Sequence, residues 1–168
     1  MRSTAFPFER SIPVSKDIIW NPNTVMRPQL FDWDCAAAGL AWVLRATGLD
    51  PYATEQEATE LIGMPQNINP VVGLVDGSGK ALQAVLLDYG QSSKQAWLGF
   101  DEVYDLVQHT TGQMSGAAWY HWVALRGTSG SDLWIANSAP GYKGVWDILS
   151  RADFARLGGF SVVWLTTD

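Results

Sequence analysis

An α+β domain is what the sequence predicts, with helices in its first half and an antiparallel sheet in its second. Three observations carry this. Helix-capping signals and apolar periodicity cluster between residues 34 and 112. Aromatic and β-branched runs separated by glycine-rich turns fill residues 117–168. And 168 residues, 47% hydrophobic and 17% charged, suffice for one domain with a real core.

The elements follow in order. Pro7, Pro13, Pro22 and Pro28 exclude a helix from the start of the chain, so residues 1–28 form an extended arm. A mainly helical half, 29–112, comes next. Asp32 or Asp34 caps a first helix over 35–46, closed by Gly48 and Pro51. Thr54 with Glu57 is a capping box opening a second helix that runs to about Ile62. Residues 64–77, with Pro65, Pro70 and several glycines, are a loop. A third helix spans about 78–89, and a fourth starts near Asp101 and stops before Gly112.

The mainly β half, 117–168, contains "AAWYHWVALRG", "DLWIANS", "GVWDIL" and "FSVVWL" as strands. "SRADFARLGG" is a short helix ended by Gly158 and Gly159.

Composition excludes several functions. A net charge of −6 argues against nucleic acid and anionic membrane as partners. No stretch approaches the roughly 20 apolar residues of a spanning helix. The start, "MRSTAFPFERSIPVSKDIIW", lacks the apolar core of a secretion signal, which predicts synthesis in the cytoplasm. One cysteine forms no internal disulfide, and with two histidines it makes no structural zinc site, so neither metal nor cofactor is expected. "DGSGK" at 76–80 lacks the glycine spacing and following hydroxyl of a phosphate loop; it reads as a turn capping the third helix.

The chemistry gathers around Cys35. A buried cysteine is often only a small hydrophobe, but this one opens a helix, where the positive end of the helix dipole favours thiolate. Such a pair would alkylate below pH 7. A nucleophile needs a base, and the base an orienting group. His109 lies near a helix end, where an imidazole caps carbonyls or faces solvent. His121 lies mid-strand among large apolar residues. If Arg126 faces Asp132 across the turn "GTSGS", the same register sets His121 opposite Asn137, whose amide oxygen then fixes the imidazole tautomer. Gln29, six residues before the cysteine, can stabilise an oxyanion together with the Cys35 amide. Each has a plainer reading, as core histidine, turn asparagine or surface glutamine. Most of the nine tryptophans, such as Trp42, Trp122, Trp134 and Trp164, fall at core-like positions, whereas Trp33 and Trp119 neighbour Cys35 and His121 and could wall a substrate cleft.

Glutamine six places before "DC", then "HWV", then Asn before a proline-glycine turn, resembles the papain-like cysteine peptidases. The likeness is to the compact branch that includes bacteriocin leader peptidases. "DCAAAG" replaces that branch's "DCGPA", and "NSAP" its "DP". The resemblance implies a papain-like fold, with the catalytic cysteine at a helix N-terminus and a C-terminal antiparallel sheet. It also implies Cys35 as nucleophile, His121 as general base and acid, Asn137 as orienting residue and Gln29 as oxyanion donor. The arm "RSIPVSKDIIWNPNT" is similar to the segment preceding the cysteine in peptidase domains of actinobacterial phage endolysins. That likeness implies an endopeptidase acting on peptidoglycan at the bacterial cell wall, with room for a wall-binding or second lytic domain in a longer protein. The alternatives are a leader-peptide processing protease and a non-catalytic papain-like module that binds a peptide or wall polymer.

Overall fold

A computed structural model describes residues 17–167. Residues 1–16, including the first part of the predicted arm, lie outside the described residues. Five helices and two antiparallel sheets form it: α1 (Cys35–Thr47), α2 (Glu55–Ile62), β1 (Ile68–Asn69), β2 (Gly73–Leu74), α3 (Lys80–Asp88), β3 (Ser93–Leu98), α4 (Phe100–Leu106), β4 (Gly112–Gly116), β5 (Trp122–Ser129), β6 (Asp132–Ala136), β7 (Ile148–Leu149), α5 (Arg151–Arg156) and β8 (Phe160–Leu165). The main sheet has the order β3-β8-β4-β5-β6-β7, and β1 with β2 makes a two-stranded hairpin inside the predicted 64–77 loop.

Local chemistry explains most boundaries. Gly48, at φ 76°, ends α1 in the left-handed region and returns its N–H to the Arg45 carbonyl. The Thr54–Glu57 capping box opens α2 as its sequence demands. Asp76 accepts from the Ser78 N–H and hydroxyl, so "DGSGK" is the turn into α3. Ser150 caps α5 by accepting from the Asp153 N–H.

The sheet divides the core in two. On one face α1, α2 and α3 pack against Trp122, Ala124, Ala136, Val163 and Leu165. On the other, Phe100 and Val103 of α4 and Phe154 of α5 pack against Met114, Val123, Leu125, Ile135, Phe160 and Val162. The alternation of side chains along each strand sorts neighbours to opposite faces.

The structure departs from expectation in four places. Strand β3 lies within the half read as helical and β4 begins at its last residue, because "SKQAWL" and "GQMSG" carry too few β-branched residues to announce a strand. Of "GVWDIL", only Ile148 and Leu149 are strand. His121 is not mid-strand: it immediately precedes β5. The hairpin also has a tighter turn than "GTSGS". Ser129 pairs with Asp132, and a bulge between Leu125 and Gly127 separates that register from the Leu125–Ile135 pair, so Arg126 does not face Asp132.

The bulged Arg126 ties down the arm. Its guanidinium donates to the carbonyls of Pro22 (2.7 Å) and Thr24 (2.6 Å) and lies over the rings of Trp42 and Trp134. Trp20 Nε1 donates to the Arg126 carbonyl at 3.0 Å, and residues 17–28 contain neither helix nor strand. The arm therefore delivers Gln29 to the end of β6, where its N–H meets the Ser138 carbonyl at 3.1 Å.

Candidate active site

Cys35 is the first residue of α1 and only 7% exposed. Its helix lies close to the sheet because the facing residues are small: Ala36, Ala37 and Ala41 meet Ala124 and Ala136. Gly39 leaves room there for the Gln113 side chain, which a β-carbon, 2.5 Å from its Nε2, would push aside. Gln113 in turn donates to the Ala36 carbonyl at 2.9 Å. This packing brings Cys35 Sγ to 3.3 Å from the Trp122 N–H, which donates to it. Trp122 N is bonded to the His121 carbonyl carbon, so covalent geometry alone holds His121 Cα within roughly 6 Å of the sulfur.

His121 is buried, and its Nε2 lies 2.8 Å from Asn137 Oδ1. The amide of Asn137 has one orientation. Nδ2 donates to the carbonyls of Trp146 (2.8 Å) and Val145 (3.3 Å), and Oδ1 also accepts from the Ala139 N–H at 3.0 Å. An amide oxygen facing Nε2 makes Nε2 the protonated nitrogen of the neutral ring and leaves Nδ1 as the acceptor. Trp119 meets the imidazole edge-on at 4.9 Å between centroids, and Tyr142 covers it at 5.3 Å. The pairing of His121 with Asn137 thus occurs although the register that suggested it does not. The true register differs from it by two at Ala124–Ala136, and an even shift keeps side chains on the same face.

Among the described residues, thiol and imidazole share no hydrogen bond: the sulfur accepts from Trp122, and the ring is engaged with Asn137. Burial pushes the Cys35 thiol up from its ordinary value, against the N–H groups of Trp122 and Ala36 that favour thiolate; the Asp34 charge adds to the rise. Burial also pushes His121 down, partly offset by Asn137. Burial and the helix N-terminus thus act on the thiol in opposite directions, and loss of water is the larger influence. Asp34, at the N-cap position, makes no cap bond to α1; its Oδ1 accepts instead from the Phe31 N–H at 3.2 Å.

Gln29 closes a chain of contacts around the site. Its Oε1 accepts from the Ser138 hydroxyl at 2.8 Å, and its Nε2 donates to the Phe31 carbonyl at 2.6 Å. Cys35 and His121 each line a depression. The Cys35 side, about 600 Å³, is lined by Trp33, Val71, Val72, Leu74, Ser115 and Trp122. The His121 side, about 530 Å³, is walled by Gln29, Phe31 and Tyr142. Asp32 and Tyr120 border both. Trp33 lies where a cleft wall would. Trp119 does not: it has no exposed surface and backs the imidazole, so Tyr120, 80% exposed, holds the place expected of it. Tyr120 has a left-handed backbone (φ 56°), a local strain of the kind found beside functional residues. No sequence signal marked Tyr120 or Ser115, since the path of the β4–β5 connection brings the first to the cleft and the pairing of β4 brings the second. His109 is remote from these depressions and pairs with Asp17 at 3.0 Å. Among the described residues no cluster of ligands could hold a metal ion, and no helix is long and apolar enough to cross a membrane.

No family model matches the chain, and a search of curated proteins finds no relative. Solved structures do match. The chain is similar to a double-glycine-motif protease of an AMS/PCAT transporter, solved in complex with the leader peptide (TM-score 0.62, 18% identity, covering 91% of this chain and 99% of that one). It is also similar to the peptidase domain of Streptococcus ComA, a bifunctional ABC transporter of a quorum-sensing pathway (TM-score 0.62, 15% identity, 87% and 100%). A third likeness is to a C39-like peptidase of Bacillus anthracis (TM-score 0.55, 14% identity, 86% and 96%). None of these three is a phage lysin. With Cys35 opening α1 beside an antiparallel sheet, the chain has the papain-like cysteine peptidase fold of such domains.

Proposed function

We propose that this chain is a cysteine peptidase that cuts a peptide segment laid across the two depressions, in the manner of a leader-peptide processing protease. The observation that carries the reading is the fixed amide of Asn137, which leaves His121 Nδ1 as a free acceptor on a residue tethered to the sulfur's hydrogen-bond donor. A core histidine needs no such tautomer control.

In the proposed reaction Nδ1 takes the Cys35 proton as the sulfur attacks the substrate carbonyl. The new S–C bond places the carbonyl electron pair on oxygen, where the Cys35 amide and Gln29 Nε2 stabilise it. Gln29 must release the Phe31 carbonyl to do so. The C–N bond then breaks, and the imidazolium returns its proton to the leaving amine. Water, deprotonated by His121, releases the acyl group and frees the thiol.

Peptidoglycan, the first expectation for the substrate, gives way to a linear peptide, because a neighbour of this fold holds a leader peptide. The part of the arm whose likeness suggested a lysin lies partly among residues 10–16, outside the described ones. The test is incubation of the protein with double-glycine leader peptides and, separately, with purified peptidoglycan, followed by mass analysis. Peptide cleavage that disappears in Cys35→Ala is the expected result. Release of wall fragments alone would restore the lysin reading, and no Cys35-dependent cleavage of either would leave a binding module.

A further inference from the structure

Two serines lie side by side on the face of the sheet that α1 covers. Ser115 of β4 and Ser161 of β8 are register partners, and Trp122 of β5 lies opposite Ser115 on its other flank. Directly opposed residues share a face. That face is the one toward α1, because Gln113, two residues earlier on β4, reaches the Ala36 carbonyl. The two hydroxyls differ in use. Ser161 Oγ donates to the Ser78 carbonyl at 2.8 Å and accepts from Gln95 Nε2 at 2.8 Å. Ser115, 8% exposed, has no side-chain partner among the described residues and lines the Cys35 depression. Its oxygen stays open to the depression, where a bound group can reach it.

We infer that Ser115 is a specificity-determining residue whose hydroxyl pairs with the hydroxyl of a threonine or serine side chain in the bound peptide. The inference rests on the cysteine-peptidase reading and deepens it. Apolar side chains, among them Trp33, Val71, Val72 and Leu74, line the depression together with this hydroxyl. A threonine presents both chemistries, a methyl to the apolar lining and a hydroxyl to Ser115. Valine has the same shape but would seal Ser115 away with no partner, which is the more costly mismatch. Asp32 at the mouth disfavours an acidic side chain.

The experiment varies one cleaved peptide through Thr, Val, Ser and Ala at each position and measures kcat/KM for the wild type and Ser115→Ala. At one position the wild type prefers Thr over Val by roughly tenfold, the factor a single neutral hydrogen bond supports. Ser115→Ala brings the two within about twofold without slowing the Val peptide. Its Tm does not fall, because no bond of the free protein is lost; Ser161→Ala, which loses two, lowers it. A preference that survives in Ser115→Ala, an absence of preference at every position, an equal loss for all peptides, or a lower Tm for Ser115→Ala would each overturn the inference. Equilibrium binding of the same peptides to Cys35→Ala reads the Thr-to-Val ratio without turnover. A ratio near one there refutes the Ser115 pairing by itself, whereas a retained ratio with no cleavage by the wild type refutes only the peptidase reading.

Discussion

The two faces of the main sheet are built to different rules. Beside Trp122, Val163 and Leu165, the face toward α1 carries small side chains, with alanines on both the helix and the strands and Gly39 where Gln113 crosses. Toward α4 and α5 they are large, with Trp119, Phe154 and Phe160 stacked edge to face or tilted at 4.2–6.1 Å. Small residues let a helix approach closely enough for its first residue to touch a strand's backbone. Large ones fill a layer that supports His121 from behind. Cys35 and His121 thus come to the start of β5 from opposite kinds of packing.

Removing a large ring should break that division most. Phe160→Ala on the aromatic face should cost about 3–5 kcal/mol, read from urea unfolding, while Cys35 alkylation in the folded protein stays close to wild type. Parallel loss of both would mean that the two faces are not separate. Asn137→Ala, at the border, should lower turnover roughly 100-fold by freeing the imidazole, with a smaller loss of stability. Loss of fold in proportion to activity would make Asn137 a turn residue only. Gly39→Ala on the close-packed face should cost about 1–3 kcal/mol by overpacking and speed alkylation as α1 lifts from the sheet. An unchanged alkylation rate would show that Cys35 does not depend on this approach.

The smallest effect is in pH. The folded pKa of His121 lies below its unfolded value, so its contribution is intact above about 6.5 and is lost as pH falls through that value toward the folded one. Cys35 acts in the opposite limb: its contribution holds below the unfolded thiol value and is lost as pH rises past it. His121→Gln should flatten the loss of unfolding free energy between about pH 7 and pH 5. An acid limb as steep as the wild type's would show that His121 is not desolvated in the fold.

Much of this was readable in the chain. The capping box at Thr54, the glycine after α1 and the turn at Asp76 each depend on residues a few positions apart, and they formed as local chemistry requires. Strands β3 and β4 were not legible, because "SKQAWL" acquires strand structure only by pairing with β8, and "GQMSG" by pairing with β8 and β5. The contact between His121 and Asn137 was legible for an incomplete reason. Side-chain parity survives a shift of two residues, whereas the bulge at Arg126 that sets the register has no local signal.

By itself the sequence determined the helices, the position of Cys35 at a helix start and the residue types able to serve a thiol, since these follow from capping, periodicity and chemical identity. Tertiary structure decided the rest. It set the direction in which burial moves Cys35 and His121, the exchange of Trp119 for Tyr120 at the cleft, and the contrast between Ser115 and Ser161. Each of these depends on how much water and which distant partner a group keeps after folding, and no short stretch of chain encodes either.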